Sequence, residues 1–155
     1  MKFAIAAAFA ALSASSLPAQ TAPPAAPVDF TYAIPLVGSW TYVGTVGEAT
    51  FLNSSAMPQL TVRCDRTARR VSLAKPGTVA VSRFLNIWTS SAARSVPASF
   101  DPATKRITIQ LGAYDPLLDA LAFSRGRFAI VASGTPALVL PAWPEIARVV
   151  EDCRA

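Results

Sequence analysis

Asp115 and Asp119 stand four residues apart, a spacing that puts two carboxylates on one face of a helix. A close carboxylate pair is what acid–base cleavage of a glycosidic bond requires. Pro116, however, follows Asp115 directly, and Asp before Pro is a helix start. Asp caps the first amides, and Pro at the first helical position lacks only an N–H that would be unpaired anyway. Asp119 then falls on the solvent face of that helix, and no cleft is legible around either residue. Glu145, after Pro144, is likewise accounted for by the favourable field at the start of a second helix. The chain contains no histidine. That removes Ser-His-Asp and Cys-His nucleophile arrangements and every histidine-based metal site. Two cysteines cannot build a thiolate metal cage, and the glycines are scattered, with no phosphate-cradling loop. The sequence therefore assigns no catalytic residue, no metal ligand and no cofactor.

The two cysteines, Cys64 and Cys153, carry a different chemistry. Lys2 precedes an uncharged apolar run over residues 3–12, about the length of a signal-peptide core and short of the ~20 residues that span a bilayer. Small and polar residues follow, ending in Leu17-Pro18-Ala19, so cleavage is expected between Ala19 and Gln20. No cysteine near that junction invites a lipid anchor, and no later segment is apolar enough to span a membrane. Residues 1–19 thus read as a signal peptide, and the compartment as periplasmic or secreted. There two thiols with no competing third are expected to pair. A bond from Cys64 to Cys153 closes a loop of ~90 residues and, in the chain-entropy model, is worth ~4–5 kcal/mol.

The net charge is +5, one unit of it from Lys2, and the rest is nearly all arginine excess. No run of consecutive basic residues suggests nucleic acid. Arg63, Arg66, Arg69 and Arg70 crowd one expected hairpin tip, and Arg125 and Arg127 flank Gly126 shortly before Trp143. Arginine beside an aromatic ring is a common recognition pair. Arg125, Arg127, Trp143, Arg66 and Arg69 are accordingly the candidate binding surface. The alternatives are a solvated hairpin end for the first group and, for Trp143, a packing lid on the last hairpin.

The elements that must carry these residues follow from periodicity. Residues 20–29, rich in Pro and Ala, form an extended leader. One domain, residues 30–155, follows, and a hydrophobic content of 52% supplies its core. Residues 39–43 have aromatics two apart, the strand period. Residues 48–52 and 79–88 are further strand candidates. Residues 60–64 alternate, with Leu60, Val62 and Cys64 inward, and residues 70–73 alternate again. Asp65-Arg66-Thr67-Ala68-Arg69-Arg70-Val71-Ser72-Leu73 is echoed by Asp101-Pro102-Ala103-Thr104-Lys105-Arg106-Ile107-Thr108-Ile109. Each has Asp, three turn residues, two basic residues, then a strand, so two hairpins of similar build are expected. After Asp115 a helix with Leu117, Leu118, Leu121 and Ala122 on one face runs toward Gly126. A hairpin over residues 128–132 and 137–140 follows. A last helix opens at Pro144 with Ile146, Val149, Val150 and Cys153 inward, and Arg148, Glu151 and Asp152 outward. The class is α+β: antiparallel β-hairpins followed by helix–hairpin–helix, with one disulfide.

The stretches 120–128, 138–145 and 149–154 resemble uncharacterised exported proteins of sphingomonad-type alphaproteobacteria, a likeness that extends weakly to Arg63-Cys64-Asp65. In topology the chain also looks distantly like the invasion-associated locus B group. These resemblances imply a non-enzymatic envelope protein and carry no activity. Gly38-Ser39-Trp40 is similar to the Gly-x-Trp of lipocalins and of small bacterial metalloprotease inhibitors that fold as barrels. The expectation is an exported, monomeric, non-enzymatic domain that binds a protein or envelope component. The alternatives are an inhibitor of a periplasmic or secreted hydrolase and, last, a carboxylate-dependent hydrolase.

Overall fold

The computed structural model describes residues 28–77, 83–133 and 135–155. The signal segment, the junction at Ala19 and Gln20, the leader up to residue 27, and residues 79–82 of the strand expected over 79–88 lie outside the described residues. Ten strands and two helices are described: β1 Gly38–Val43, β2 Glu48–Asn53, β3 Pro58–Asp65, β4 Arg70–Pro76, β5 Phe84–Trp88, β6 Ala93–Pro97, β7 Ser99–Asp101, β8 Arg106–Gly112, α1 Pro116–Ala122, β9 Arg127–Ala132, β10 Leu138–Pro141 and α2 Pro144–Arg154. The α+β class with one disulfide holds. Every strand pair is antiparallel. One sheet runs β1-β2-β3-β4-β8-β7 and the other β10-β9-β5-β6. Two separate sheets take the place of the closed barrel that the Gly-x-Trp likeness implied.

Alternation decides which face is buried. Val71 and Leu73 of β4 and Ile107, Ile109 and Leu111 of β8 share the inner face of the long sheet with Leu60, Val62 and Cys64 of β3. Phe128, Ile130 and Ala132 of β9 and Leu85 and Ile87 of β5 answer them from the short sheet. Trp40 joins the layers: its ring lies 5.4 Å from Phe51 and 6.4 Å from Phe128, and its Nε1–H donates to Pro141 O at 3.0 Å. Gly38 must be glycine, because a Cβ there would stand 2.1 Å from Leu52 O. α2 lies on the inner face of the long sheet, against β1 to β4, and α1 packs on α2. α2 buries Ile146, Val149, Val150 and Cys153, and packs on β3 and on α1. Cys153 is bonded to Cys64, with Cα atoms 5.4 Å apart.

The two echoed hairpins share one turn. Asp65 Oδ1 accepts from Ala68 N, and Asp101 Oδ1 from Ala103 N, both at 2.9 Å. The fifth residue of each, Arg69 and Lys105, sits in the left-handed region at φ +48° and +52°. In both, the sixth residue pairs with the aspartate (Asp65↔Arg70, Asp101↔Arg106). Short differences remain elsewhere. β6 was not expected: it buries Val96 alone, so no alternation announces it. α1 ends at Ala122 with Phe123 as its cap. Gly126, at φ +74°, shapes the entry to β9 instead of closing the helix.

Candidate functional site

Asp115 and Asp119 are each held by a different arginine. Asp115 caps α1 by accepting from Leu117 N at 2.9 Å and pairs with Arg94 at 2.8 Å. Partial burial pushes its carboxyl up, but the bonds from Arg94 and from the Leu117 amide outweigh that and hold it below the usual carboxylate value. Asp119 is gripped through both oxygens by Arg154, at 2.8 and 3.0 Å, which ties α1 to α2. Each aspartate has its own arginine, as expected of structural carboxylates. Among the described residues no group of three or more acidic or cysteine side chains could hold a metal ion.

The first arginine cluster surrounds the disulfide end. Arg66 donates to Gly44 O at 2.8 Å and Thr45 O at 3.3 Å, and its guanidinium lies 3.2 Å from Asp152 Oδ2. Tyr42 donates to the same oxygen at 2.6 Å, and Arg148 stacks over the Tyr42 ring at 5.7 Å. The hydrogen bond to Asp152 raises the Tyr42 pKa. Asp152, placed outward by helix periodicity, is thus drawn into a bridge between α2 and the turn regions of β1–β2 and β3–β4. Arg69 reaches Tyr114 Oη and the last two carbonyls, Arg154 O and Ala155 O, at 3.3–3.4 Å. Arg63, Arg66 and Arg70 border a shallow groove of about 610 Å³.

The second cluster lies at the other end of α2. β9 and β10 pair so that Arg127 faces Pro141, and Ala142 N reaches Gly126 O at 3.4 Å. Arg125, Arg127 and Trp143 are therefore brought to one end of the short sheet. They do not act alike. The Arg127 guanidinium donates to Ala33 O and so pins the segment that precedes β1. The Arg125 amide is fixed by Ser90 Oγ at 2.8 Å, and its side chain is exposed. Trp143 is 41% exposed, so it covers the hairpin only in part. The two ring–guanidinium stacks among the described residues are elsewhere, Arg148 on Tyr42 and Arg154 on Tyr114.

Sequence reasoning missed two features. One is the segment 28–37, assigned partly to the leader. It lies along the free edge of β10, where Leu36 N donates to Val139 O at 2.8 Å. Its Phe30 ring packs edge-on against Trp88 at 5.9 Å. Yet Tyr32, Ile34 and Val37 are 91%, 88% and 73% exposed. Large apolar side chains, Phe30, Tyr32, Ile34, Leu36 and Val37, following directly on the Pro/Ala-rich leader were the available signal. The other is Lys75. It continues the inner row of Val71 and Leu73 on β4 and is only 6% exposed. It opens onto a cleft of about 770 Å³ at the end of the interlayer space away from the disulfide.

No family model matches the chain, and comparison with curated proteins and with solved structures found no match. Among the described residues no helix is long and apolar enough to cross a membrane, and the Cys64–Cys153 bond suits an oxidising environment.

Proposed function

We propose that this is an exported, non-enzymatic binding domain, released into the periplasm or beyond after cleavage between Ala19 and Gln20. It works as a single chain and takes a protein or envelope component as its partner. One observation carries the reading: the segment 28–37 is fixed at Ala33, Leu36 and Phe30, yet it turns Tyr32, Ile34 and Val37 outward. A backbone already held in place exposes apolar side chains at little ordering cost on binding. Arg125 and Trp143 extend that surface, and Arg127 supports it from beneath. The paired state of Asp115 and Asp119 speaks against a carboxylate hydrolase.

The test compares the native protein with a Tyr32→Ser/Ile34→Ser variant by in-cell crosslinking, alongside intact mass of the exported form. The native protein should give a discrete crosslinked species that the variant loses at unchanged melting temperature. Equal crosslinking by both would remove the surface from consideration. A mass that retains residues 1–19 would make that segment an anchor.

A further inference from the structure

A lysine on the core-facing row of a strand is uncommon, because an ammonium taken from water is costly unless an opposite charge meets it. Lys75 has no such partner among the described residues. Its Nζ stands 3.5 Å from Thr135 Oγ1, whose own proton goes to Ala132 O at 3.0 Å. The hydroxyl is thus oriented to present a lone pair to Lys75 and has no hydrogen left for a second acceptor. Burial alone pulls the Lys75 pKa below that of a free lysine.

The cleft that Lys75 borders is cationic and carries no described carboxylate on its wall. Lys105, from the turn between β7 and β8, and Arg106, the first residue of β8, supply two further positive charges. Arg106 uses one terminal nitrogen, donating to Thr61 Oγ1 at 2.8 Å and Ala74 O at 2.6 Å. Its other N–H groups have no described acceptor. Leu36, Pro136 and Leu138 give the same cleft an apolar side. Its volume of about 770 Å³ falls in the range of small-molecule sites, about 300–1,000 Å³. Packing explains none of the charge: a methionine in place of Lys75 would fill the row without an unpaired ammonium.

We propose that this cleft binds a small organic carboxylate with an apolar body. The head pairs with Lys75, Lys105 and Arg106 provide the surrounding positive field, and the body lies on Leu36, Pro136 and Leu138. A single head suits one buried ammonium at a strand end, with the two further positive charges at the neighbouring β7–β8 turn. An apolar wall has no use for a bare inorganic anion. The inference is independent of the surface formed by Tyr32 and Ile34, and it stands or falls by its own test.

The probe is sodium octanoate, titrated into the intact, disulfide-bonded protein by calorimetry, with acetate, inorganic phosphate and 1-octanol as controls. Octanoate should bind saturably, at least about ten-fold tighter than any control, since a hydrogen bond to a charged group and a buried chain each contribute that much. Lys75→Met should weaken octanoate about 10–100-fold and leave the fold intact, and Lys105→Gln should weaken it several-fold by loss of field. The proposal is overturned if octanoate does not saturate, or if folded Lys75→Met binds it as the native chain does. It also fails if octanol or phosphate binds as tightly as octanoate, since one would make the site merely apolar and the other merely cationic. Should Lys75→Met not fold, the ammonium of the native protein is followed by NMR. Octanoate must shift its resonance saturably and move its titration to higher pH, and an unmoved signal overturns the assignment.

Discussion

The two hairpin tips follow the same residue pattern and the same turn register, yet they stand at opposite ends of β4 and β8 in opposite circumstances. At the β3–β4 tip the basic residues are absorbed by the protein: Arg66 by Asp152 and two carbonyls, Arg69 by Tyr114 and the chain end. Covalent closure at Cys64–Cys153 lies directly behind them. At the β7–β8 tip Lys105 and Arg106 border a cleft whose wall carries no described acid, and the tip's own Asp101 is engaged by Ala103 and Thr104. Local sequence therefore sets the turn, through an aspartate that caps amides and a fifth residue at positive φ. What the charges do is set by the groups that pack nearby: α2 with Asp152 at one end, while at the other the only acid of the tip among the described residues, Asp101, is taken up by its own turn.

The largest test of this contrast is covalent. Cys64→Ser/Cys153→Ser opens a loop whose ends are 89 positions apart in sequence and should lower unfolding free energy by about 4–5 kcal/mol, measured by denaturant titration. The loss should concentrate at the closed end, with hydrogen exchange quickening in α2 and β3 before β7 and β8. A loss below about 1 kcal/mol, against that chain-entropy value, would mean that side-chain packing of α2 already does what the bond was assigned.

Next comes the cap that starts α1, the helix that Arg154 lashes to α2. Asp115→Ala removes both the cap and the partner of Arg94, and should cost about 1–2 kcal/mol. The pH dependence has a fixed sign. The Asp115 carboxyl is depressed in the fold below its ordinary 3.8, so the unfolded chain binds the proton more readily. Its contribution is full above that ordinary value and is lost as pH falls through the lower folded one. Stability should therefore fall as pH drops below that ordinary value of 3.8, less steeply in Asp115→Asn. Identical slopes in the two proteins would show that other carboxylates, such as the depressed Asp101 at the open tip, govern the acid limb.

Much of this architecture is legible in the chain. Strict alternation marks β3, β4 and β8, Asp115-Pro116 and Pro144 mark the helix starts, and the inward phase of both cysteines indicates their bond. What escapes is whatever depends on distant neighbours. β6 has one buried side chain and no period to read. Asp152 lies next to the buried Cys153, and periodicity alone puts it in solvent; only the approach of Tyr42 and Arg66 from β1 and from the turn after β3 gives it a role. Lys75 reads as the polar end of a strand whose inner row stops at Leu73. That the row continues under the β9–β10 turn is a tertiary fact. The exposed segment 28–37 was masked by its likeness to the Pro/Ala-rich leader before it.

A smaller pair of substitutions compares the turns directly. Both Arg69 and Lys105 hold a positive φ that L-residues adopt at a cost and glycine adopts freely. Lys105→Gly, which sacrifices no described hydrogen bond of its side chain, should gain about 0.5–1 kcal/mol. Arg69→Gly should gain less, because it gives up the contacts to Tyr114, Arg154 and Ala155. If both gain equally, the Arg69 contacts contribute nothing and the two tips differ less than their surroundings suggest.

The smallest expected effect belongs to the residues that look most tied down. Arg66 is half exposed, and its bridge to Asp152 lies at 3.2 Å in contact with solvent, where such pairs contribute about 0–1 kcal/mol. Water can replace Arg66 at both the Gly44 and the Thr45 carbonyls, and Asp152 keeps the Tyr42 hydroxyl. Arg66→Gln/Arg69→Gln should therefore shift the melting point only slightly, and 1 M salt should remove most of that shift by screening the bridge in the native protein. A loss of several kcal/mol that persists in salt would show that the arginine network holds α2 as firmly as the disulfide does. The closed end would then owe its character to charge and not to the covalent bond.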